Sequence, residues 1–296
     1  MPSSIQIKTI NHVGIPVWDR RVSLKFYREV LGLQVIPSMV DSPNIVWTRT
    51  LDGTMVHLIE PPDGETLGGS HTAFEVQDFD SAVADIKASA YHDISDVGER
   101  HDGQKCIFVA DDDGNRLEFT TASGLKSSNR VANALGYTTE QGTNVVVPST
   151  SEIRISGINH VGLPINNRVR SMKMYRDLLN INVIPHQAEG NTLTWTELAD
   201  GSMVHVIDPP KSVGPRGDGR QHVAFEVADI ESTAEFLINS DVEIVEGIGT
   251  RHDGQQFLFV YDPDGNRIEI ATRGDHSDTN RTADENGYTS ENQVLL

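Results

Sequence analysis

The amino-acid sequence contains one long pattern twice, and this internal repeat is the strongest constraint on the fold. Several segments recur between the halves, including NHVGIPV with NHVGLPI, MVHLIEPP with MVHVIDPP, HTAFEV with HVAFEV, and DGNRLEF with DGNRIEI. A repeat of this length indicates two copies of one domain. We expect module 1 at residues 1–148 and module 2 at residues 149–296, each with a C-terminal tail. Three histidines and one glutamate recur in the two copies: His12, His57, His71 and Glu118, and His160, His205, His222 and Glu269.

Length and charge narrow the class of protein. A chain of 296 residues is long enough for two domains, each with its own core. The formal net charge of −19 argues against nucleic acid or an anionic membrane as a partner. A single cysteine, Cys106, excludes a disulfide framework and fits a reducing cytosol. Without a signal sequence or a long apolar run, we expect a soluble cytoplasmic protein and leave a homo-oligomer open.

Hydrophobic periodicity predicts the same order of elements in each copy. Every copy reads as two βαβββ units, so strands outnumber helices. Tight turns such as Asp52-Gly53 require antiparallel neighbours, which predicts an α+β fold of tandem modules with curved mixed sheets. In the first copy we predict strands at 7–17, 34–38, 44–51, 54–60, 71–77, 94–99, 105–110 and 116–121, with helices at 23–31 and 79–89.

The recurring histidines and glutamates are candidate metal ligands. In the first copy His12, His71 and Glu118 lie in three separate predicted strands, each flanked by apolar residues. Two histidines and one carboxylate leave open coordination positions, an arrangement typical of non-haem Fe(II) oxygenases. These ligand types suit Zn(II), Ni(II) and Mn(II) equally. His57 and His205 lie in a fourth strand and could be further ligands or acid–base groups.

These segments resemble the vicinal oxygen chelate superfamily, which includes glyoxalase I, fosfomycin-resistance proteins, methylmalonyl-CoA epimerase and type I extradiol ring-cleavage dioxygenases. The resemblance is carried by NHVGIPV, FYREVLGL, MVHLIEPP, HTAFEV and DDDGNRLEF with their second-copy partners, and it covers all but the tails. It implies that each module curls two βαβββ units into a cupped sheet around a metal. The implied ligands are His12, His71 and Glu118 in the first copy, and His160, His222 and Glu269 in the second.

Within this superfamily the second copy is most similar to the extradiol dioxygenases. The resemblance implies Fe(II), a catecholic or hydroquinone-like small molecule and O2, with His205 moving protons during ring opening. Trp195 and the pair Arg251-His252 resemble residues near the site of those enzymes. Two features depart from the pattern, since Phe259 stands where a Tyr is usual and both copies keep a full ligand set.

Two other function classes stay open. In glyoxalase I the position of His57 and His205 is a metal-binding Glu, so three histidines and one glutamate would hold a metal that promotes proton transfer without O2. The third class is a binding protein that sequesters a small molecule. It is the least favoured, because a binder needs neither a complete ligand set nor the additional histidine.

The RHDGQ segment (100–104 and 251–255) has two interpretations. It forms an Asp-Gly turn, or its Arg and His hold an anionic substrate or an oxygen intermediate. The second interpretation makes His252 and His101 candidate catalytic residues and Arg251 a candidate substrate contact.

The repeated tail also has two interpretations. NRVANALGYTTE (129–140) matches NRTADENGYTSE (280–291). The tail packs on a neighbouring module, or it covers a site so that Arg281 and Tyr288, with their partners Arg130 and Tyr137, contact the substrate. The Asp-rich segments 111–115 and 262–266 read as hairpin turns, because they lack the spacing of a calcium loop.

Overall fold

The computed structural model describes residues 3, 5–62, 65, 68–124, 129–133, 135–140, 151–209, 220–275 and 280–291. The predicted module boundary at residue 148 lies outside the described residues. Up to its tail, each copy has the predicted order of elements and builds an eight-stranded mixed sheet. Each tail adds a two-stranded hairpin that was not predicted.

The first copy contains ten strands and two helices among the described residues. Its helices are α1 (Arg20–Lys25), which continues into a π-helical turn at Phe26–Val30, and α2 (Phe79–Ala88). Its strands are β1 (Ile7–Pro16), β2 (Gln34–Ile36), β3 (Ile45–Arg49), β4 (Met55–Ile59), β5 (His71–Val76), β6 (Gly98–Glu99), β7 (Lys105–Ala110), β8 (Arg116–Thr120), β9 (Arg130–Ala132) and β10 (Thr138–Glu140).

The second copy repeats this set. Its helices are α3 (Arg168–Met172), which continues into a π-helical turn at Lys173–Leu178, and α4 (Ile230–Asn239). Its strands are β11 (Gly157–Pro164), β12 (Asn182–Ile184), β13 (Leu193–Glu197), β14 (Met203–Ile207), β15 (His222–Glu226), β16 (Ile244–Thr250), β17 (Gln256–Tyr261), β18 (Arg267–Ala271), β19 (Arg281–Ala283) and β20 (Thr289–Glu291).

The strand order places the two βαβββ units of one copy side by side in one sheet. The first sheet runs β2-β3-β4-β1-β5-β8-β7-β6, and the second runs β12-β13-β14-β11-β15-β18-β17-β16. In the first sheet β1 pairs in parallel with β4 and antiparallel with β5, and β5 pairs in parallel with β8. The four central strands therefore come from both units of a single copy.

Helix α1 begins three residues before its predicted start at residue 23, and α3 begins at the equivalent position of the second copy. Asp19 and Asn167 act as N-caps, and their side chains accept hydrogen bonds from the backbone N–H groups of Arg21 and Arg170. A capping side chain of this kind satisfies a donor at the first turn of a helix. The helical segment is capped by Leu31 and followed by Gly32, whose φ of +80° suits glycine.

The two copies interlock through the Asp-rich turns. Tyr27 donates a 2.8 Å hydrogen bond to Asp262 Oδ2 of the other copy, and Tyr175 donates a 2.7 Å bond to Asp111 Oδ2. Asn266 likewise donates to the Pro16 carbonyl group over 2.8 Å. The turns are hairpins, as predicted, and in addition their carboxylates hold the neighbouring copy. One apolar core cluster contains residues of both copies.

Each tail hairpin packs on its own copy. In the first tail Thr138 Oγ1 accepts a 2.8 Å hydrogen bond from the Ser38 backbone, and the Tyr137 ring lies 4.4 Å from the Arg20 guanidinium. The prediction that the tail packs on a neighbouring module is therefore wrong for this hairpin.

The helices within the described ranges are too short or too polar to cross a lipid bilayer.

Candidate metal centre

Strand register brings the predicted ligands to one face of each sheet. In the first sheet Gly14 of β1 lies between His57 of β4 and His71 of β5. Two residues along, Ala73 of β5 lies between His12 of β1 and Glu118 of β8. Because side chains alternate between the faces of a strand, all four polar side chains point the same way. The residues between them, Gly14 and Ala73, are small and leave space in the middle of this group.

The second sheet has the same arrangement. Gly162 lies between His205 and His222, and Ala224 lies between His160 and Glu269. We call His12, His71 and Glu118 the first triad, and His160, His222 and Glu269 the second triad. Each triad is formed within one copy.

The donor atoms of the second triad converge on one point. His160 Nε2 lies 3.2 Å from His222 Nε2 and 3.2 Å from Glu269 Oε2, and His222 Nε2 lies 3.5 Å from the same oxygen. In the first triad the corresponding distances are 3.1, 3.1 and 3.5 Å. Donors about 2.1 Å from a metal and at right angles to one another would be about 3 Å apart, so both triads fit a divalent ion.

Hydrogen bonds to the opposite ring nitrogens fix the histidine tautomers. His160 Nδ1 lies 2.9 Å from Asn159 Oδ1, and His222 Nδ1 lies 2.9 Å from the Arg220 carbonyl oxygen. Each of these oxygens accepts a hydrogen bond, so Nδ1 carries the hydrogen and Nε2 presents a lone pair. Two lone pairs and a carboxylate oxygen then face one another without a proton, an arrangement suited to binding a cation between them.

Burial controls the charge of these histidines. It lowers the pKa of His160, and it lowers the pKa of His222 to about 3. Burial alone would raise the pKa of Glu269, but its interactions with the His160 ring and the Arg251 guanidinium outweigh burial and lower that pKa to about 2. At neutral pH the second triad is therefore an ionised carboxylate with two neutral imidazoles, the protonation state that metals bind.

The fourth histidine of each copy is stacked between a tryptophan ring and a predicted ligand. The His205 ring lies 3.8 Å from the His160 ring and 4.3 Å from Trp195, nearly parallel to both. Its Nε2 is buried and has no hydrogen-bond partner within the described part of the chain. Its pKa is well below the usual value, chiefly because of burial. His57 has the same arrangement with Trp47 in the first copy.

Distance alone allows this histidine to be a ligand. Ligand nitrogens of His160, His205 and His222 lie within 4.8 Å of one another, as do those of His12, His57 and His71. The carboxylates lie closer to their two histidines than this limit, so the triads with glutamate are the tighter sets. The role predicted for His57 and His205, ligand or acid–base group, stays open.

The RHDGQ segments form the expected turns and also reach the centres. Gly103 and Gly254 adopt a φ of +79° in these turns. Arg251 lies 2.9 Å from Glu269 Oε1, and Arg100 lies 2.7 Å from Glu118 Oε1. The neighbouring histidines face outward. His252 pairs with Glu189 at 3.1 Å, and His101 pairs with Asp41 at 2.8 Å.

A cavity of about 340 Å³ borders the second triad. Its apolar walls include Leu193, Trp195, Ile207 and Phe259. Phe259 is packed 5.9 Å from the His222 ring, so no tyrosine hydroxyl is available at that position. An apolar cavity of about 150 Å³ already holds a benzene ring, so a substituted single ring fits here.

The predicted substrate contacts of the tail lie beside this cavity and do not line it. The Tyr288 ring lies 4.2 Å from Arg168, and Arg168 pairs with Asp208 of the cavity wall at 2.6 Å. Arg281 pairs with Glu291 at 3.4 Å in its own hairpin. Contact of either residue with a substrate stays a prediction.

A family model places the chain among known proteins. The model described as the Glyoxalase/Bleomycin resistance protein/Dioxygenase superfamily matches residues 9–119 and 157–270. The chain belongs to this superfamily. The two matched segments contain both triads, so the superfamily match and the repeat divide the chain in the same way.

Curated relatives within the superfamily differ in activity. The putative ring-cleaving dioxygenase MhqA of Bacillus subtilis is 22% identical over 96% of this chain and 93% of its own length. The metallothiol transferase FosB of Staphylococcus epidermidis is 28% identical over 40% of this chain and 84% of its own length.

Solved structures in the superfamily share the fold at low identity. The Mn(II)-bound glyoxalase from Novosphingobium aromaticivorans has a TM-score of 0.67 and 17% identity, covering 92% of this chain and 84% of that one. The 2,3-dioxygenase LapB from Pseudomonas sp. KL28 has a TM-score of 0.65 and 17% identity, covering 93% and 94%. These likenesses confirm the predicted fold, two tandem α+β modules with cupped sheets.

The sequence reasoning missed residues that support the triads. Asn11 and Asn159 directly precede the ligand histidines in the NHVG segments. The Oδ1 atom of each asparagine lies 2.9 Å from Nδ1 of the histidine that follows it. Gln104 and Gln255 end the RHDGQ segments and contact these asparagines. Their recurrence in both copies was the available signal.

Proposed function

We propose that the chain is an Fe(II)-dependent extradiol dioxygenase that acts on a catecholic or hydroquinone-like ring, with the second triad as its principal site. The observation that carries the proposal is the second triad itself, whose unprotonated donors converge beside a cavity with aromatic walls. Two histidines and a carboxylate leave positions for both substrate and oxygen. Zn(II), Ni(II) and Mn(II) are the alternative metals.

Fe(II) held by the triad would supply the redox chemistry that lets an aromatic diol react with dioxygen. The protein side chains supply the rest. Trp195 and Phe259 bound the cavity and exclude water from the ring. His205 is neutral at pH 7, because burial lowers its pKa. Its Nε2, which has no hydrogen-bond partner among the described residues, is available to accept a proton from the substrate hydroxyl group.

Other predicted site residues take outer positions in this proposal. His252 and Arg251 precede β17 at the edge of the site. Tyr288 supports the cavity wall through Arg168, and Arg281 lies in the same tail hairpin. In the first copy His57 and His101 would act like His205 and His252. A His252→Phe variant with unchanged kcat and KM would remove His252 from the reaction.

Oxygen uptake tests the proposal. The protein is loaded anaerobically with Fe(II), its metal content is measured, and substituted catechols and hydroquinones are offered with O2. We expect oxygen uptake in a one-to-one ratio with consumed substrate and a yellow ring-fission product. Metal-loaded protein that consumes no oxygen with any of these compounds would contradict the proposal.

Two matched variants assign the activity to the copies. Glu269→Gln and Glu118→Gln each remove one carboxylate donor without changing the size of the side chain. The fraction of oxygen uptake that each variant loses measures how much of the total activity the corresponding triad supplies. We expect the larger loss with Glu269→Gln.

A metal-dependent lyase or isomerase of the glyoxalase type is the second candidate. It is favoured by the close grouping of His160, His205 and His222, since three histidines and Glu269 could all bind one ion. Such a centre would polarise a chelated carbonyl compound for proton transfer. Exchange of a carbon-bound proton with solvent deuterium under argon would identify this chemistry.

A further inference from the structure

We propose that the RHDGQ segment acts on the metal centre through the ligands: Arg251 and Gln255 position Glu269 and His160 and fix the tautomer of His160. Arg100 and Gln104 do the same for the first triad. This inference rests on the metal site of the proposed function, and it makes these residues positioning residues, because they act on the metal through its ligands.

In the second copy a closed chain of contacts joins two ligands. The Arg251 guanidinium pairs with Glu269 Oε1 at 2.9 Å and donates through its other terminal nitrogen to Gln255 Oε1. Gln255 Nε2 donates to Asn159 Oδ1 over 3.2 Å, and His160 Nδ1 lies 2.9 Å from that same oxygen. Glu269, Arg251, Gln255, Asn159 and His160 therefore form one network behind the triad.

The first copy contains the same chain of contacts. Arg100 pairs with Glu118 Oε1 at 2.7 Å and donates to Gln104 Oε1. Gln104 Nε2 donates to Asn11 Oδ1 over 3.4 Å and to the Thr121 carbonyl oxygen over 3.0 Å. Asn11 Oδ1 lies 2.9 Å from His12 Nδ1. The Thr121 contact fixes the orientation of the glutamine amide independently of Arg100.

The order of donors and acceptors determines the proton on the ligand. A guanidinium only donates, so the Gln255 oxygen must accept from it and the amide nitrogen must face Asn159. Asn159 Oδ1 then accepts, and its amide nitrogen donates to Glu226 over 3.1 Å. The remaining neighbour of Asn159 Oδ1 is His160 Nδ1, which must carry the hydrogen. Nε2 is consequently left bare for the metal.

Burial fixes the direction of each hydrogen bond in this network. Gln255, His160 and Glu269 are fully buried, and Asn159 is 5% exposed. A buried amide with its donor and acceptor reversed would face like atoms on both sides, which is strongly unfavourable. One terminal nitrogen of Arg251 contacts Glu269 and the other donates to Gln255, so the guanidinium group connects the carboxylate ligand to the rest of the network.

Cobalt binding tests the proposal without the reaction. Apo protein is titrated with Co(II) against a chelator, and the visible absorption of bound Co(II) reports the ligand geometry. The variant is Gln255→Leu in the full chain, and the unaltered first triad is the internal control. We expect a biphasic titration, with one site at wild-type affinity and the other weakened about ten- to hundredfold, the usual effect of losing a residue that supports a ligand.

Three further variants sharpen the test. Gln104→Leu should weaken the first site in place of the second, and the double variant should weaken both. Gln256→Leu is the matched control, since Gln256 is the next residue, is only partly buried and is not part of this network; we expect two wild-type sites. Should Gln255→Leu fail to fold, Gln255→Glu keeps the acceptor for Arg251 but cannot donate to Asn159, and we expect the same weakening.

The outcomes separate this proposal from the proposed function. Wild-type affinity and an unchanged spectrum in folded Gln255→Leu and Gln255→Glu would overturn the positioning role and leave the dioxygenase proposal in place. Weakened Co(II) binding in a protein whose Fe(II) form consumes no oxygen would support the positioning role and reject the dioxygenase. Wild-type protein that binds no Co(II) would overturn both.

Discussion

Gly162 of β11 lies directly opposite His222 of β15, and the His222 ring occupies the space that a side chain at residue 162 would need. A Cβ atom there would overlap Cε1 and Nδ1 of His222 as well as the Arg220 carbonyl oxygen. Gly14 and His71 have the same relationship in the first copy. The glycine of the NHVG segment is therefore part of the metal centre, although it has no donor atom.

Gly162→Ala should weaken metal binding at the second triad. The added methyl group displaces the His222 ring, and the carbonyl group that fixes its Nδ1 proton cannot move freely because it belongs to the backbone. We expect about a tenfold or larger loss of Co(II) affinity at one of the two sites, measured by chelator competition. Gly247→Ala is the control, because a methyl group at residue 247 would meet no atom of the described residues within 4 Å. Equal affinities in both variants would show that the ring tolerates the displacement.

His205→Gln should separate the two candidate functions. If His205 moves protons, the variant keeps its metal content and affinity while kcat for ring cleavage falls by about a hundredfold or more. Metal content by elemental analysis and oxygen uptake are measured on the same sample. A large loss of metal affinity would instead identify His205 as a fourth ligand and favour the glyoxalase-type centre.

Metal-free protein should lose stability as the pH falls below about 6.5. Burial lowers the pKa of His12, His57 and His205 well below that value, so the folded state keeps these residues neutral while the unfolded chain takes up protons. Their contribution is fully present above the unfolded pKa and is lost as the pH falls below it. Each histidine then contributes up to about 1.4 kcal/mol per pH unit to the free energy of unfolding.

Urea unfolding of the metal-free protein between pH 7.5 and 5.5 measures this slope. His57→Gln should reduce it, because one buried histidine no longer gains a proton on unfolding. His92→Gln serves as the comparison, since the His92 side chain is exposed. A slope unaffected by His57→Gln would mean that the buried histidines do not determine the acid sensitivity.

Tyr27→Phe should weaken the association between the copies. The substitution removes the hydroxyl group that donates to Asp262 and leaves a buried carboxylate with one partner fewer. We expect the free energy of unfolding to fall by about 1–2 kcal/mol. Tyr137→Phe, which changes a 40% exposed tyrosine, should alter it by less than about 0.5 kcal/mol. Similar effects of the two substitutions in thermal unfolding would argue against a role for the Tyr27 hydroxyl group.

Local patterns were enough to predict the sheets and the convergence of the triads. His12, His71 and Glu118 each lie in a short run of alternating residues, and their recurrence in a second copy distinguished them from ordinary buried histidines. Strand alternation then fixed the face on which each side chain lies. The start of α1 was placed three residues late, because Asp19 was not recognised as the N-cap.

Contacts between distant residues could not be predicted in this way. The Asp262 turn was identified as a hairpin, but nothing in its sequence indicates that it binds Tyr27 of the other copy. The tail hairpin likewise repeats in the sequence without revealing its position, which depends on side chains such as Ser38 and Arg20. Such contacts depend on how the sheets pack, and periodicity carries no information about that packing.

Each triad comes from three strands of one copy, while the copies hold each other through their turns. Because each copy contains its own triad, duplication of one copy within a gene produces a chain with two complete triads. Selection can then alter the walls of one pocket toward a new compound while the other continues the ancestral reaction, and the shared interface keeps both folded during the change.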